Sequence, residues 1–500
     1  MTSRRATIHR LQTGVPGMDE VLGGGLPEFS FNVIAGPAGC GKTTLAHQIM
    51  FGLATPQRPA LYFTVLGEPP LKMMRYQQQF DFFDDGKVND AVRFVGLADA
   101  AAGGDLDKVL RLIAENVETH GPRLVFVDSF RSAVLAGQQG ESRTFLSQQQ
   151  FVQQLGMLMT SWQATTFLIG EYPAENDANP VFTVADGLIW LHQSAMRNSV
   201  VRKMEIMKMR GQATLAGLHT FRINAAGIRV FSIALPPPPA TASHAADAAA
   251  VADTRLQMGV PGLDALMGGG LPRGYSLLVA GPSGSGKSIL ASAFLAEGAR
   301  CGDAAVIASF EQPPKLARGH VVSDLIASGR VGLVQTREPD LSVDEIATLL
   351  IGEIHRLKAT RVVIDSLSGF ELALAPTFRE DFRESLARMV TALANTGVTV
   401  LMTSELEDRY TDFRFSPYGT AFLTDAIIVQ RYIEIDSQLQ RVMAVVKVRG
   451  SAHSNDLRLF HIDDEGIKIG ARLADHEGLL GGRPTRRFDR RQTGREVGSD

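Results

Sequence analysis

Cysteine is nearly absent: among 500 residues only Cys40 and Cys301 occur, too few and too far apart for a disulfide framework or a zinc cluster. That usage points to a reducing compartment. Long apolar runs are missing as well. None approaches the roughly 18 residues needed to span a bilayer. The opening MTSRRATIHR has no apolar core behind its basic residues, so neither a membrane span nor a secretory leader is expected. A cytoplasmic location is the expectation. An excess of one charge is lacking too, since 50 Lys+Arg against 53 Asp+Glu leave a net charge of -3. This balance argues against a dedicated nucleic-acid binder, although it permits local basic patches. With 45% hydrophobic, 21% charged and 7% aromatic residues, the composition is that of a globular enzyme rather than a disordered or fibrous chain. At about 150 residues per domain, the length calls for two to four domains.

What the chain does contain is a second copy of itself. LQTGVPGMD at 11–19 returns as LQMGVPGLD at 256–264, and GGGLP at 23–27 returns at 268–272. Both pairs share an offset of 245 residues, far longer than the roughly 20 to 50 residues of a solenoid unit, so a whole domain is duplicated. Between the copies, Pro236 to Pro239 and the Ala/Thr/Ser-rich stretch to Asp253 cannot pack a core and read as a stiff, then flexible, linker. The expected organisation is a first domain at 1–234, a linker at 235–253, a second domain at 254–472 and a tail at 473–500.

Within the first copy, short runs rich in Val, Ile and Phe (31–35, 60–65, 92–95, 124–127, 166–169) read as buried strands. Leu106, Val109, Leu110, Ile113 and Val117 fall on one face of a helix between two of them. Such alternation predicts an α/β fold with a mainly parallel sheet covered on both faces. The last third of the copy, 181–193, 200–209 and 218–231, lacks long helical stretches and is expected to add antiparallel strands at the sheet edge. The second copy repeats the order.

After the first strand comes Gly36, Pro37, Ala38, Gly39, Cys40, Gly41, Lys42, Thr43, Thr44, matched in the second copy by Gly281, Pro282, Ser283, Gly284, Ser285, Gly286, Lys287, Ser288, Ile289. Strand, GxxxxGK[ST] and apolar helix form the P-loop arrangement. Its glycines let backbone N–H groups turn inward around phosphate oxygens, and the helix N-terminus adds the positive end of its dipole. Lys42 or Lys287 reaches the β- and γ-phosphates, and Thr43 or Ser288 ligates Mg²⁺. A bare glycine-rich turn repeated in register is a poor account of two such loops. ATP and Mg²⁺ are therefore the expected ligands.

The metal needs an acidic partner at the carboxyl end of a neighbouring strand. LVFVDS ending at Asp128 and VVIDS ending at Asp365 supply it, although an Asp in that place also serves to cap a following helix. Hydrolysis further requires a group that polarises water in line with the γ-phosphate. Glu311, followed by Gln312, ends the second copy's second strand; in the first copy Glu68 arrives one or two positions late, after Leu66 and Gly67, and a solvated loop charge describes it as well.

These residues, together with Lys208 and Arg210 (KMRG) and Lys447 and Arg449 (KVRG) near the ends of the copies, resemble the KaiC branch of the RecA-like ATPases over nearly the whole chain. The resemblance implies two tandem RecA-like domains, a homo-hexamer of two stacked rings and ATP at each subunit boundary. It also implies that Lys208 and Arg210, and Lys447 and Arg449, reach the neighbour's phosphates, where a cation supplied in trans stabilises transition-state charge. Taken without the resemblance, they read equally as alternating charges on an edge strand.

Two departures from that pattern bear on function. The family places a Glu pair after the second strand. Aligned without gaps, Leu66 and Gly67 stand there in the first copy, and Glu311 and Gln312 in the second; aligned on the following proline pairs, Gly67 and Glu68 face Glu311 and Gln312. The first domain is accordingly expected to bind ATP for assembly and the second to hydrolyse it. Clock members also autophosphorylate on adjacent Ser and Thr before a Thr-Asp pair; here Ala421 and Phe422 precede Thr424 and Asp425, with Thr420 and Ser416 nearby. A displaced hydroxyl is not in line with the γ-phosphoryl, so a Ser/Thr autokinase and phosphatase cycle is the alternative rather than the expectation.

The tail carries six arginines between Arg483 and Arg495. It reads as a solvated segment or as a docking site for a regulatory protein or an anionic surface. A RecA-like DNA-binding ATPase is the reading from another class; its candidate loops, 135–143 and 368–379, are weakly charged, so phosphate contacts would be few. A scaffold with structural nucleotide in both domains is the third.

Overall fold

The computed structural model describes residues 8–65, 70–101, 106–129, 141–172, 180–232, 254–310, 321–335, 340–406, 423–435, 437–472, 476–477 and 485–486. The chain divides into two compact units, 1–234 and 235–500. Among the described residues no helix is long and apolar enough to cross a membrane.

In the first unit, strands β1 (Phe31–Gly36), β2 (Ala60–Thr64), β3 (Val92–Gly96), β4 (Leu124–Asp128) and β5 (Thr165–Glu171) are parallel. Helix α1 (Lys42–Leu53) follows β1, α2 (Leu106–His120) follows β3, and α3 (Glu141–Ser161) precedes β5. β6 (Gly187–Met196), β7 (Ser199–Met209), β8 (His219–Asn224) and β9 (Gly227–Phe231) complete a nine-stranded sheet in the order β9-β8-β7-β6-β1-β5-β4-β2-β3.

Side chains alternate across each strand, and both faces are covered, so the strands read as continuous apolar runs. Ile34 and Tyr62 enter one core layer, whereas Val33, Ala35, Leu61 and Phe63 enter the other. Helix α2 buries Val109, Ile113 and Val117, the stripe its spacing predicts.

The edge differs from expectation in two details. Residues Pro180–Val184 form a helical turn, and β6 runs parallel to β1 before turning antiparallel into β7, because it inherits the direction of the central strand it joins.

The second unit repeats the plan with β10 (Ser276–Gly281), β11 (Ala305–Ser309), β12 (Val331–Val334), β13 (Arg361–Asp365), β14 (Thr399–Glu405), β15 (Ala426–Ile435), β16 (Gln438–Val448), β17 (Arg458–Asp463) and β18 (Gly466–Arg472). Its order is β12-β11-β13-β14-β10-β15-β16-β17-β18, with α4 (Lys287–Arg300) after β10, α5 (Val343–Leu357) before β13 and α6 (Phe382–Asn395) before β14. Both units are mainly parallel sheets with antiparallel edge strands, flanked by helices: two tandem RecA-like domains.

Candidate functional site

In each unit the chain leaves the central strand, makes a glycine loop and enters a helix. Gly41 (φ 108°) and Gly286 (φ 105°) stand at the N-caps of α1 and α4 in left-handed backbone, and no side chain caps either helix. The first-turn N–H groups therefore face the loop, the geometry that receives an anion. Each lysine folds back on its own loop: Lys42 Nζ donates to Pro37 O at 2.7 Å, and Lys287 Nζ to Gly281 O and Pro282 O at 2.9 and 2.8 Å.

The strand-end aspartates converge on the loops. Thr43 Oγ1 donates to Asp128 Oδ2 at 2.8 Å. Ser288 and Asp365 line one cavity of about 240 Å³ together with Lys287, Gly284, Ser366 and Glu405. Hydroxyl and carboxylate oxygens beside a phosphate cradle are hard donors of the kind Mg²⁺ takes, and the donor set fits that ion. Among the described residues no group of three or more His, Cys, Asp or Glu forms a separate metal site.

Asp365 does not cap the helix that follows it. That work in the second unit falls to Ser366, whose hydroxyl accepts from Gly369 N at 3.1 Å.

Lys208 and Lys447 lie at the ends of β7 and β16, and Arg210 and Arg449 just beyond them. Arg210 Nη1 pairs with Asp186 Oδ1 at 3.1 Å, and Arg449 Nη1 with Asp425 Oδ1 at 3.2 Å. The other oxygen of each aspartate accepts the N–H that opens the loop's own strand, Phe31 N at 3.1 Å or Ser276 N at 3.0 Å. Lys208 donates to the Phe182 and Thr183 carbonyls and Lys447 to the Thr424 carbonyl. Partial burial first, and then the neighbouring arginine, hold both lysines below the usual ammonium range. In both sheets a register shift, Leu188/Ile189 or Ile427/Ile428, stands against the lysine. A bulge of this kind re-aims the side chains beside it.

Glu68 and Glu311 fall outside the described residues, as do Ala421, Phe422 and all but four residues of the Arg-rich tail. The interval 368–379, read from the sequence as a loop, instead forms short helices at Leu367–Ala373 and Pro376–Arg379. There Arg379 caps carbonyls of its own segment, those of Leu374 and Leu372.

Sequence reasoning missed Glu405, which lines the second unit's cavity, and Glu171, its counterpart at the end of β5. The register pairs Gly36 with Glu171 and Gly281 with Glu405, so a carboxylate ends the strand beside each loop. The repeated strand-end Glu was the available signal. It escapes comparison at the loop offset of 245 because the two glutamates are 234 apart.

A family model described as "ATPase: KaiC" matches residues 11–234 and 256–474. The chain is 26% identical over 495 residues to "Circadian clock oscillator protein KaiC" of Rippkaea orientalis, covering 96% of this chain and 92% of that protein. It is 26% identical over 498 residues to "Circadian clock oscillator protein KaiC 1" of Synechocystis, with 96% and 93% covered. To the KaiC of Synechococcus elongatus it is 25% identical over 500 residues, with 97% and 93% covered.

Proposed function

The chain belongs to the KaiC family of ATPases, and from that premise we propose that it is an ATP-binding and ATP-hydrolysing regulatory protein. It works as a homo-hexamer with nucleotide at the subunit boundaries, and its output is read by a partner protein. The observation that carries the nucleotide assignment is the approach of the strand-end aspartate to the loop hydroxyl, Thr43 Oγ1 to Asp128 Oδ2 at 2.8 Å, echoed where Ser288 and Asp365 share a cavity. Bound beside the nucleotide, Mg²⁺ would neutralise charge on the β- and γ-phosphates. Thr43 and Asp128 would hold it in the first domain, and Ser288 and Asp365 in the second.

The loop N–H groups cradle the phosphates, and Lys42 and Lys287 exchange loop carbonyls for phosphate oxygens. Lys208, Arg210, Lys447 and Arg449 are the cations offered to a neighbouring subunit. Hydrolysis belongs to the second domain, where Glu311 comes two residues after the strand and orients water; in the first, Leu66 and Gly67 occupy the corresponding places on the ungapped alignment and Glu68 comes later. The first domain holds nucleotide for assembly.

Glu311→Gln is expected to lower steady-state ATP turnover by 10² or more. Glu68→Gln should change it less than about threefold, and native mass should show the hexamer forming on ATP addition in both. Loss of turnover in Glu68→Gln with turnover intact in Glu311→Gln overturns the assignment. An autokinase cycle is not part of this reading, since Ala421 and Phe422 offer no hydroxyl. Mass spectrometry after incubation with Mg-ATP should find no stoichiometric phosphate near residue 420.

A further inference from the structure

The two aspartates are held from opposite sides. In the first domain the Tyr62 hydroxyl donates to Asp128 Oδ2 at 2.7 Å, the same oxygen that Thr43 engages at 2.8 Å. Tyr62 stands on β2, two residues before Thr64, the strand partner of Asp128. Its ring is fully buried between His47 (ring centroids 4.5 Å apart), Phe94 (5.5 Å) and Phe126 (5.9 Å). On the other flank the strand partner of Asp128 is Ile169, which has nothing to donate.

The second domain exchanges these roles. At the loop offset the counterpart of Tyr62 is Ile307, on β11. The donor comes instead from the far flank, where Thr403 of β14 gives its hydroxyl hydrogen to Asp365 Oδ1. Thr403 follows Met402, the strand partner of Ile364, and so stands level with Asp365 as Ile169 stands level with Asp128.

We propose that Tyr62 and Thr403 are positioning residues of the two magnesium carboxylates, each bracing its aspartate from a different neighbouring strand. The inference rests on the assignment of these aspartates to a metal-nucleotide site. A carboxylate with one oxygen pinned keeps the orientation its metal requires, and removing such an outer partner ordinarily costs 10- to 100-fold in metal affinity or activity. Each hydroxyl gives its hydrogen bond to the aspartate and not to the phosphate loop, so their loss should be felt through Mg²⁺ and not through nucleotide alone.

The test is a titration of the full chain with Mg²⁺, followed by fluorescence of an N-methylanthraniloyl ATP. Lys287→Ala confines binding to the first domain, and Lys42→Ala confines it to the second. In the Lys287→Ala background, Tyr62→Phe should raise the Mg²⁺ midpoint about tenfold while leaving Kd in EDTA unchanged; Thr403→Val should do the same in the Lys42→Ala background. An unmoved midpoint, or an equal loss with and without Mg²⁺, overturns the brace. Should Tyr62→Phe fail to fold, the Thr403→Val arm decides. If the Lys287→Ala or Lys42→Ala chain retains no nucleotide at all, it is the site assignment that has failed, and the brace falls with it.

Discussion

The fifth position of each loop shows how a single residue is matched to what lies under it. Ser285 Oγ donates to Gln430 Oε1 at 3.1 Å in a buried pair. Its counterpart Cys40 is equally buried, and the residue that contacts Gly36 as Gln430 contacts Gly281 is Leu191. A serine over leucine would bury an unmatched hydroxyl, whereas a thiol there packs as a small apolar group. Burial pushes the Cys40 thiol up against the opposing pull of Lys42, which suits a filler rather than a nucleophile.

His47 on α1 is another residue that the second domain lacks. It is fully buried, neither ring nitrogen has a hydrogen-bond partner among the described residues, and Ser292 stands at its counterpart. Burial lowers its pKa from the ordinary 6.5 to about 4, which the nearby Gln77 side chain only weakly opposes. Because the folded state keeps the ring neutral, the unfolded state binds more protons between these values. The stability contributed is full above about 6.5 and is lost as pH falls toward 4, a difference of about 2 kcal/mol between pH 7.5 and pH 5. Urea unfolding of the first domain at the two pH values should show that loss, and His47→Leu should remove about that much of the pH dependence. An unchanged slope in the variant would contradict it.

At the scale of elements, the turn from strand to helix carries the site, and it admits little substitution. A Cβ on Gly41 would meet Ile223 Cδ1 at 2.7 Å, and one on Gly286 would meet Ile462 Cδ1 at 2.7 Å, both from left-handed backbone. Gly41→Ala and Gly286→Ala should each lower the melting temperature of their own domain, at a cost of about 1 to 2 kcal/mol. Each should also weaken nucleotide binding at that domain at least tenfold by tilting the first-turn N–H groups. Calorimetry and equilibrium dialysis on the two variants check both, and a variant that binds normally would show that the loop's backbone is not the cradle.

These turns were legible in the sequence because glycine spacing and apolar runs are local signals. The strands at 31–35, 60–65 and 124–127 were readable for the same reason, as was the α2 stripe. The Tyr62 and Thr403 braces were not: each joins residues more than 30 positions apart through a strand register that no short-range pattern encodes. Nor was the helical turn at Pro180–Val184, where a run of apolar and β-branched residues reads equally as strand.

Across the whole molecule, the duplication is plain in the sequence, yet a single offset does not carry through. It is 245 residues at the loops, 237 from Asp128 to Asp365, 234 from Glu171 to Glu405 and 239 from Lys208 to Lys447. Insertions and deletions in the connections slide the later part of one copy against the other, so only the most distinctive motifs show the pairing in sequence. The sheets preserve what the offset loses, since both keep the strand order, the bulge beside the lysine and the aspartate joining the arginine to the loop's own strand.

Two intact cradles per chain is the claim on which the rest depends, and counting bound nucleotide tests it most directly. Purified chain equilibrated with Mg-ATP analogue and passed through a desalting column should carry two nucleotides. Lys42→Ala or Lys287→Ala alone should leave about one, and both together none. One nucleotide in the wild-type chain, or two in either single variant, would contradict the account.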